Sequence, residues 1–172
     1  MNYSKIAEEK DVPELNVLVN SAYRGETSKK GWTTEADLLG GIRTDEESLN
    51  QLLKKDGSVV LISRNETGEL IACVNLEQQG SKIYLGMLTV SPELQGAGIG
   101  KELLKEAEAY ARTKKAKAIV MTVISVRKEL IAWYERHGYI RTGETKPFPS
   151  NDPKFGLPKQ ELEFIVMEKT LA

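Results

Sequence analysis

The sequence is poor in the residues that bind metals or form covalent links. Cys73 is the only cysteine and His137 is the only histidine among its 172 residues. No internal disulfide can form, and these two residue types alone cannot complete a zinc site. We therefore expect a protein that needs no metal.

Long hydrophobic runs and an excess of charge of one sign are absent too. No run approaches the roughly 20 apolar residues of a membrane-spanning helix, and the polar residues 1–5 lack the apolar core of a signal peptide. The 24 Lys and Arg residues nearly balance the 25 Asp and Glu residues. This balance removes the general electrostatic case for nucleic acid or an anionic membrane as the main partner. We expect a cytoplasmic protein whose residues 1–172 form one domain.

The apolar periodicity predicts a mixed α/β domain. Four helices are predicted. The first covers 13–22 with Asp11 as N-cap, and the second starts at a capping box at 44–47 and ends at about Lys55. The other two cover 99–113 and 129–136. Strands are predicted at 58–64, 70–78, 83–90, 118–124, 139–145 and 161–169. Because short turns separate the first three strands, we expect them to form an antiparallel meander.

The most informative segment is a glycine turn at residues 95–100, between a predicted strand and a predicted helix. It contains Gly96, Gly98 and Gly100. Glycines let the backbone turn tightly and leave its N–H groups uncovered by side chains. The helix that follows adds unpaired N–H groups and the positive end of its dipole. The segment therefore predicts a site for a phosphate or pyrophosphate.

Two familiar nucleotide motifs do not fit this turn. A P-loop requires Ser or Thr after its Gly-Lys pair, but Glu102 follows Lys101. A dinucleotide fingerprint requires a third glycine, but reading from Gly96 or Gly98 places Lys101 or Leu103 there. A nucleotide-binding protein built on either motif is therefore disfavoured.

The spacing of Gln95, Gly98 and Gly100 fits another pattern, Gln-x-x-Gly-x-Gly. Residues 88–100 resemble the acetyl-CoA motif of the GCN5-related N-acetyltransferase (GNAT) family. Residues 133–139, Trp-Tyr-Glu-Arg-His-Gly-Tyr, are similar to that family's helix ending in Tyr-Glu-x-x-Gly-Phe/Tyr. The resemblance implies a GNAT-type α/β fold: a mixed, mainly antiparallel sheet flanked by helices and splayed between its two central strands.

The resemblance also implies the activity of an acetyl-CoA-dependent N-acetyltransferase. Such an enzyme moves an acetyl group directly, in a ternary complex, to the primary amine of a small molecule or peptide. A catalytically inactive acetyl-CoA-binding sensor or regulator is the alternative.

On the family pattern, the pantetheine arm pairs with the backbone of Leu88, Thr89 and Val90, and an N–H group near Leu88 is the oxyanion donor. The pyrophosphate is expected on the backbone of Gln95, Gly96, Ala97, Gly98, Ile99, Gly100 and Lys101.

The resemblance makes Tyr134 the candidate general acid, since a phenol with a pKa of about 10 can protonate a departing thiolate. Packing against Leu130 is the alternative role. Glu77, at the end of a predicted strand beside the site, is the candidate base. Glu26, Glu35 or a chain of waters are alternatives to it.

Three further residues have competing interpretations. His137 carries an imidazole, a side chain that can act as a base, but its position at a helix end favours a cap contact or exposure. Cys73 alternates within a strand and is expected in the core rather than as an acyl carrier. Arg127 stands where many family members carry Asn, and it could pair with an acidic group, contact a coenzyme A phosphate or be a solvated charge.

We assign the choice of acceptor to the polar segments 23–37 and 146–159. Arg24 and Trp32 are the candidate substrate contacts, with Arg24 suited to a substrate carboxylate. The final strands offer an edge through which a homodimer could form.

Overall fold

The structure is a computed structural model that describes residues 3–23, 39–40, 44–95, 97–147, 157–158 and 162–171. Its strands are β1 (Tyr3–Ile6), β2 (Leu39–Gly40), β3 (Ser58–Arg64), β4 (Leu70–Gln79), β5 (Lys82–Val90), β6 (Ala118–Ile124), β7 (Ile140–Pro147), β8 (Leu157–Pro158) and β9 (Glu163–Thr170). Its α-helices are α1 (Val12–Tyr23), α2 (Glu46–Lys54), α3 (Ile99–Thr113) and α4 (Lys128–Arg136). Short 3-10 turns at Glu9–Asp11 and Pro92–Leu94 precede α1 and α3.

Seven strands form one mixed sheet in the order β1-β3-β4-β5-β6-β9-β7. Every neighbouring pair is antiparallel except β5 and β6, which run parallel. A parallel pair needs a crossover connection, and α3 is that connection. The predicted mixed, mainly antiparallel sheet is confirmed. The predicted edge among the final strands is β7, and a homodimer through it stays a prediction.

The predicted meander is confirmed as β3, β4 and β5, each within one residue of its predicted bounds. Turn chemistry sets the first hairpin, because Asn65 Oδ1 accepts the N–H groups of Thr67 at 3.1 Å and Glu69 at 2.9 Å. β4 is the central strand of the three and is buried along its first seven residues. It therefore belongs to the core on both of its faces.

Helices cover both faces of the sheet. From α1 and α2, the cluster on one face contains Leu15, Leu18, Val19 and Leu49. From α3 and α4, the cluster on the other face contains Leu103, Leu104, Ala107, Ala111, Ile131 and Tyr134. Burial of each Leu or Val side chain contributes about 1.5–3 kcal/mol, so these two clusters hold the helices on the sheet.

A buried polar network fixes the end of α4 against α3. The Tyr139 hydroxyl donates to Glu108 Oε2 at 3.2 Å. Lys169 Nζ donates to Glu108 Oε1 and to the His137 carbonyl, each at 3.0 Å. Burial, together with the charge of Glu108 and its hydrogen bond, raises the pKa of Tyr139, so its hydroxyl stays protonated. The network ties α3, the end of α4 and β9 together.

Two strand pairings were not predicted. β1 pairs antiparallel with β3 at an edge of the sheet. It is four residues long, and polar Ser4 and Lys5 leave it too little apolar pattern to be recognised. β2 pairs antiparallel with β8 in a separate two-stranded ladder. That ladder joins parts of the chain that lie far apart in sequence.

Two predicted caps are displaced. Asp45, rather than Thr44, is the N-cap of α2, and its Oδ1 accepts the Ser48 N–H at 2.8 Å. Asp11 ends the 3-10 turn before α1 instead of capping α1, and its Oδ2 accepts the Glu8 N–H at 2.8 Å. Both carboxylates still satisfy a backbone N–H at a helical start, so the cap chemistry was right and its register was wrong.

Asp11 also anchors the start of α1 to the sheet. Arg64 Nη2 lies 2.8 Å from Asp11 Oδ1, and Arg64 Nη1 lies 3.0 Å from Glu14 Oε2. The Asp11 side chain is 3% exposed, whereas that of Glu14 is 52% exposed. Burial acts to raise the pKa of Asp11, but hydrogen bonds from the Glu8 N–H and from Arg64 outweigh burial and leave the pKa lowered.

We expect Asp11→Asn to lower the free energy of unfolding at pH 7 by about 1–3 kcal/mol, because Arg64 loses a buried, charged acceptor. A carboxyl whose pKa is lowered by folding stabilises the protein at pH values above its ordinary pKa, which is 3.8 for Asp11. This stabilisation is lost as the pH falls through the pKa of the folded state. The difference between variant and wild type in urea unfolding should therefore shrink below about pH 4.

Glu14→Gln is the matched control for Asp11→Asn. It removes the more exposed carboxylate from the same guanidinium and should change stability by less than about 1 kcal/mol. Equal effects of the two variants, or a pH-independent effect of Asp11→Asn, would contradict this account.

Candidate active site

The candidate site is a cavity of about 470 Å³ beside the point where β5 and β6 separate. These strands pair through three residue pairs, of which Tyr84↔Val120 is the last. Residues 85–90 of β5 and 121–124 of β6 continue without pairing to one another. The predicted splay between the two central strands is confirmed, and the end of β5 lines the cavity.

β5 bulges where it reaches the cavity. It advances three residues, from Gly86 to Thr89, against two residues of β4. Within the bulge, Met87 has φ +56°, in the left-handed region that non-glycine residues rarely adopt. The Thr89 hydroxyl donates to the Met87 carbonyl at 2.9 Å. A bulge redirects the backbone groups beside it, and here those are the groups around Leu88.

The glycine turn forms one end of the cavity. Gly98 is the N-cap of α3 with φ +81°, a conformation that favours glycine, and its carbonyl accepts the Glu102 N–H at 3.1 Å. The predicted coenzyme contacts that line the cavity are Leu88, Thr89, Val90, Gln95, Gly98, Ile99, Gly100 and Lys101. Ala97 is exposed and is not a lining residue. The start of α3, where N–H groups and the helix dipole favour an anion, therefore borders the cavity.

One face of α4 and its flanking residues form a further wall. The lining residues of this wall recur at helical spacing and are Arg127, Leu130, Trp133, Tyr134, Arg136 and His137. Arg127 is the N-cap of α4, and His137 is its C-cap. The wall therefore runs the full length of this helix.

The described lining is cationic. It includes Lys101, Arg127 and Arg136, and no Asp or Glu is present among the described residues that line it. Arg127 is 5% exposed, so its interpretation as a solvated charge is wrong. Cationic side chains around a cavity attract anions. The cavity suits a ligand that carries several negative charges.

Tyr134 belongs to the core and to the cavity at once. It is 5% exposed, and its ring packs edge-on against Trp133 at a centroid distance of 5.1 Å and against Tyr139 at 5.8 Å. Leu130, its predicted packing neighbour, lines the same cavity. Packing and a place in the site are therefore compatible for Tyr134.

Glu77 is not among the cavity-lining residues. It pairs with Tyr84 near the start of β5, and its Oε1 lies 2.6 Å from Lys55 Nζ. Because β4 and β5 are antiparallel, the end of β4 lies beside the start of β5, whereas the cavity borders the end of β5. The role of Glu77 as base stays a prediction that its placement does not support.

His137 and Cys73 are held by structural contacts. His137 Nδ1 lies 2.7 Å from the Trp133 carbonyl, and because a carbonyl only accepts, Nδ1 carries the proton. This is the expected contact at the helix end. Cys73 is fully buried in the core and does not line the cavity. Its expected place in the core is confirmed.

Several predicted site residues lie outside the described residues. They are Arg24, Trp32, Gly96 and the alternative bases Glu26 and Glu35. Their roles stay predictions.

The sequence did not indicate Ala22, Leu94 and Arg136 as site residues, although all three line the cavity. Ala22 lies near the end of α1, and only the tertiary fold brings it there. Trp133, also a lining residue that was not indicated, and Arg136 were within reach of sequence reasoning, because they continue an i, i+3 series from Leu130 along one face of α4.

No helix in the described part of the chain is both long and apolar enough to cross a membrane. In the same residues, no group of three or more His, Cys, Asp or Glu side chains is arranged to hold a metal ion. A cytoplasmic location stays a prediction.

Solved structures of N-acetyltransferases share this fold. The ribosomal-protein-S18-alanine N-acetyltransferase from Escherichia coli is 16% identical with a TM-score of 0.73, covering 100% of this chain and 95% of that one. The ribosomal-protein-alanine N-acetyltransferase from Brucella melitensis is 22% identical with a TM-score of 0.73, covering 98% and 99%. The spermidine N-acetyltransferase SpeG chimera from Vibrio cholerae and hSSAT is 16% identical with a TM-score of 0.70, covering 98% and 95%. At such identities the likeness shows the fold alone.

No curated protein matches the sequence significantly. A family model described as "Acetyltransferase (GNAT) family" matches residues 16–139. The matched range includes the bulged end of β5, the glycine turn, α3 and α4, which together surround the cavity. Because the match covers more than half of the 172-residue chain, the chain belongs to the GNAT acetyltransferase family.

Proposed function

We propose that this protein is an acetyl-CoA-dependent N-acetyltransferase that transfers acetyl directly to the primary amine of a small molecule or peptide. Acetyl-CoA is the co-substrate of the family to which the chain belongs. The observation that carries the proposal is a single cavity bordered by the glycine turn, the bulged end of β5 and Tyr134.

The glycine turn and its surroundings fit the diphosphate of coenzyme A. Gly98 turns the backbone so that α3 begins at the cavity, and the N–H groups of its first turn suit phosphate oxygens. Lys101 lies in that first turn and adds positive charge. No described residue of the lining is acidic; Glu102, in the same first turn of α3, does not line the cavity.

Acyl transfer requires the protein to stabilise the carbonyl oxygen as it gains charge, to protonate the leaving thiolate and to remove a proton from the amine. The amine nitrogen attacks the thioester carbonyl carbon, the C–N bond forms, the C–S bond breaks, and the sulfur leaves as a thiolate that must be protonated. A thioester supplies an activated acetyl group and a leaving thiolate. We propose that an N–H group near Leu88 in the β5 bulge stabilises the charge that develops on the carbonyl oxygen. The hydroxyl of Tyr134 protonates the thiolate.

The acceptor amine must lose a proton before or during attack. We infer a chain of waters, Glu26 or Glu35 for this step ahead of Glu77, because the Glu77 carboxylate pairs with Lys55 away from the lining. Arg24 and Trp32 remain our proposed acceptor contacts. The similar structures are named for ribosomal-protein alanine and for spermidine, which supports an amine acceptor without selecting one.

Acetyl-CoA and CoA are expected to raise the thermal unfolding temperature by more than ATP and NAD do. A ligand at about one hundred times its Kd stabilises the folded state by about 2.7 kcal/mol, which is about 5–10 °C for a chain of this size. Differential scanning fluorimetry with the four ligands at equal concentration measures this. Absence of a shift with both forms of coenzyme A would overturn the proposed function.

Tyr134→Phe should lower the acetylation rate about a hundredfold, because a general acid contributes about 10²–10⁴ in rate. Thiol release in the presence of a panel of amines measures the rate. The stabilisation by acetyl-CoA should persist, since the phenyl ring retains the packing of the tyrosine. Tyr110→Phe is the control, as Tyr110 packs on the core without lining the cavity. Turnover equal to wild type in Tyr134→Phe would remove its assignment as the acid.

Gly98→Ala should weaken acetyl-CoA binding, and Gly68→Ala should not. Both glycines have positive φ, +81° and +85°, and at both an added Cβ meets no atom within 4 Å. Each substitution therefore strains the backbone by about 1–2 kcal/mol. The two variants differ in their distance from the cavity, which only Gly98 lines. If the two variants lose the acetyl-CoA-induced thermal shift equally, the glycine turn is not the phosphate site.

A further inference from the structure

Trp133 and His137 form a tilted aromatic pair in the cavity wall. Their ring centroids lie 4.3 Å apart with an interplanar angle of 40°, and both residues line the cavity. Neither ring takes part in the proposed chemistry, which uses Tyr134 and backbone groups. The ligand group that contacts these two rings is therefore still to be assigned, and its assignment rests on the proposed function.

The pair is held rigidly before any ligand binds. His137 is fixed through three groups: its backbone N–H donates to the Tyr134 carbonyl at 2.9 Å, its Nδ1 bonds the Trp133 carbonyl at 2.7 Å, and its carbonyl accepts Lys169 Nζ at 3.0 Å. The Trp133 indole also contacts the Tyr134 ring edge-on. Aromatic rings fixed in this way bind a further flat ring with little loss of side-chain entropy.

The indole lies next to the glycine turn. A Cβ built on Gly100 would be 3.6 Å from Trp133 Cζ2 and 3.5 Å from Val90 Cγ2. Trp133 therefore packs across the first turn of α3, beside the N–H groups proposed for the diphosphate. In coenzyme A only a ribose separates the diphosphate from the adenine, so the adenine must lie close to the diphosphate site.

Two exposed cations border the same part of the cavity. Lys101 extends from the first turn of α3, and Arg136 is the last residue of α4, next to His137. The ribose of coenzyme A carries a 3′-phosphate near the adenine. An aromatic surface flanked by cations matches the combination of a purine ring and a phosphate.

We infer that Trp133 and His137 form the surface on which the adenine ring of the coenzyme stacks, and that Arg136 and Lys101 bind the phosphate on its ribose. This subsite selects a full adenine nucleotide over the shorter pantetheine phosphates. Affinity for the donor is thus divided between the glycine turn and the end of α4.

The test compares three ligands, CoA, dephospho-CoA and 4′-phosphopantetheine, by isothermal titration calorimetry. Trp133→Leu should weaken CoA about tenfold or more, because stacking of a base on an aromatic ring contributes about 1–3 kcal/mol, and should change 4′-phosphopantetheine less than about twofold. Arg136→Gln should weaken CoA but not dephospho-CoA. Arg112→Gln, at the end of α3 away from the lining, is its control.

A second measurement avoids any dependence on the folding of Trp133→Leu. In Trp32→Phe, Trp133 is the remaining indole of the chain's two, and adenosine 3′,5′-bisphosphate should quench its fluorescence saturably, with release by CoA. Pantetheine phosphate should not quench it.

The outcomes separate this inference from the proposed function. Wild-type protein that binds none of the coenzyme forms overturns the proposed function and this subsite with it. Wild-type protein that binds CoA, with equal loss of CoA and 4′-phosphopantetheine affinity in Trp133→Leu or with no quenching by the bisphosphate, overturns the adenine surface alone. Equal loss of CoA and dephospho-CoA in Arg136→Gln overturns the phosphate contact.

Discussion

The cavity depends on the early end of the parallel ladder between β5 and β6. Pairing stops at Tyr84↔Val120, and the Tyr84 and Thr122 hydroxyls, 3.0 Å apart, bridge the strands just beyond that pair. Past this point β5 stays paired with β4 as far as Ala72↔Val90, while β6 stays paired with β9. Each half of the sheet thus keeps its own strand pairing, β5 with β4 and β6 with β9, and the two halves diverge from each other beyond Tyr84↔Val120. An opening made in this way exposes one edge of β5 without disrupting the core.

The bulge at Met87 works against local backbone preference, and its surroundings hold it in place. A left-handed conformation at a residue with a side chain costs about 1–2 kcal/mol. Met87 is 7% exposed and packs in the cluster with α1 and α2, and its carbonyl accepts bonds from Thr89 Oγ1 and Cys73 Sγ. The core on one face of the sheet therefore fixes a backbone shape that is used on the other face. Stability on the α1 side and geometry at the cavity are coupled through this one residue.

The apolar periodicity of the sequence predicts most elements of the fold. The site residues that the sequence also predicts are those that belong to motifs of fixed local spacing. The strand over 58–64, the helix over 99–113 and the turn at Gly98 depend on contacts between near neighbours, so the sequence predicts them. Glu77 does not line the described cavity, because the cavity's position along β5 depends on where the pairing with β6 ends, which no local pattern encodes. Ala22 was missed for the same reason, since tertiary packing alone brings α1 to the cavity. The register of Asp45 was missed because adjacent Thr and Asp residues both make good caps.

The small ladder of β2 and β8 has a consequence for how such a protein diversifies. Residues 24–38 lead directly into β2, and residues 148–156 lead directly into β8. These stretches make up most of the two segments that we assign to acceptor choice, and the strands that follow them in the chain pair with each other. A length change in one displaces a strand that the other needs. Under our assignment of acceptor choice, recombination between relatives that exchanges acceptor preference carries both stretches together, with the paired dipeptides that follow them.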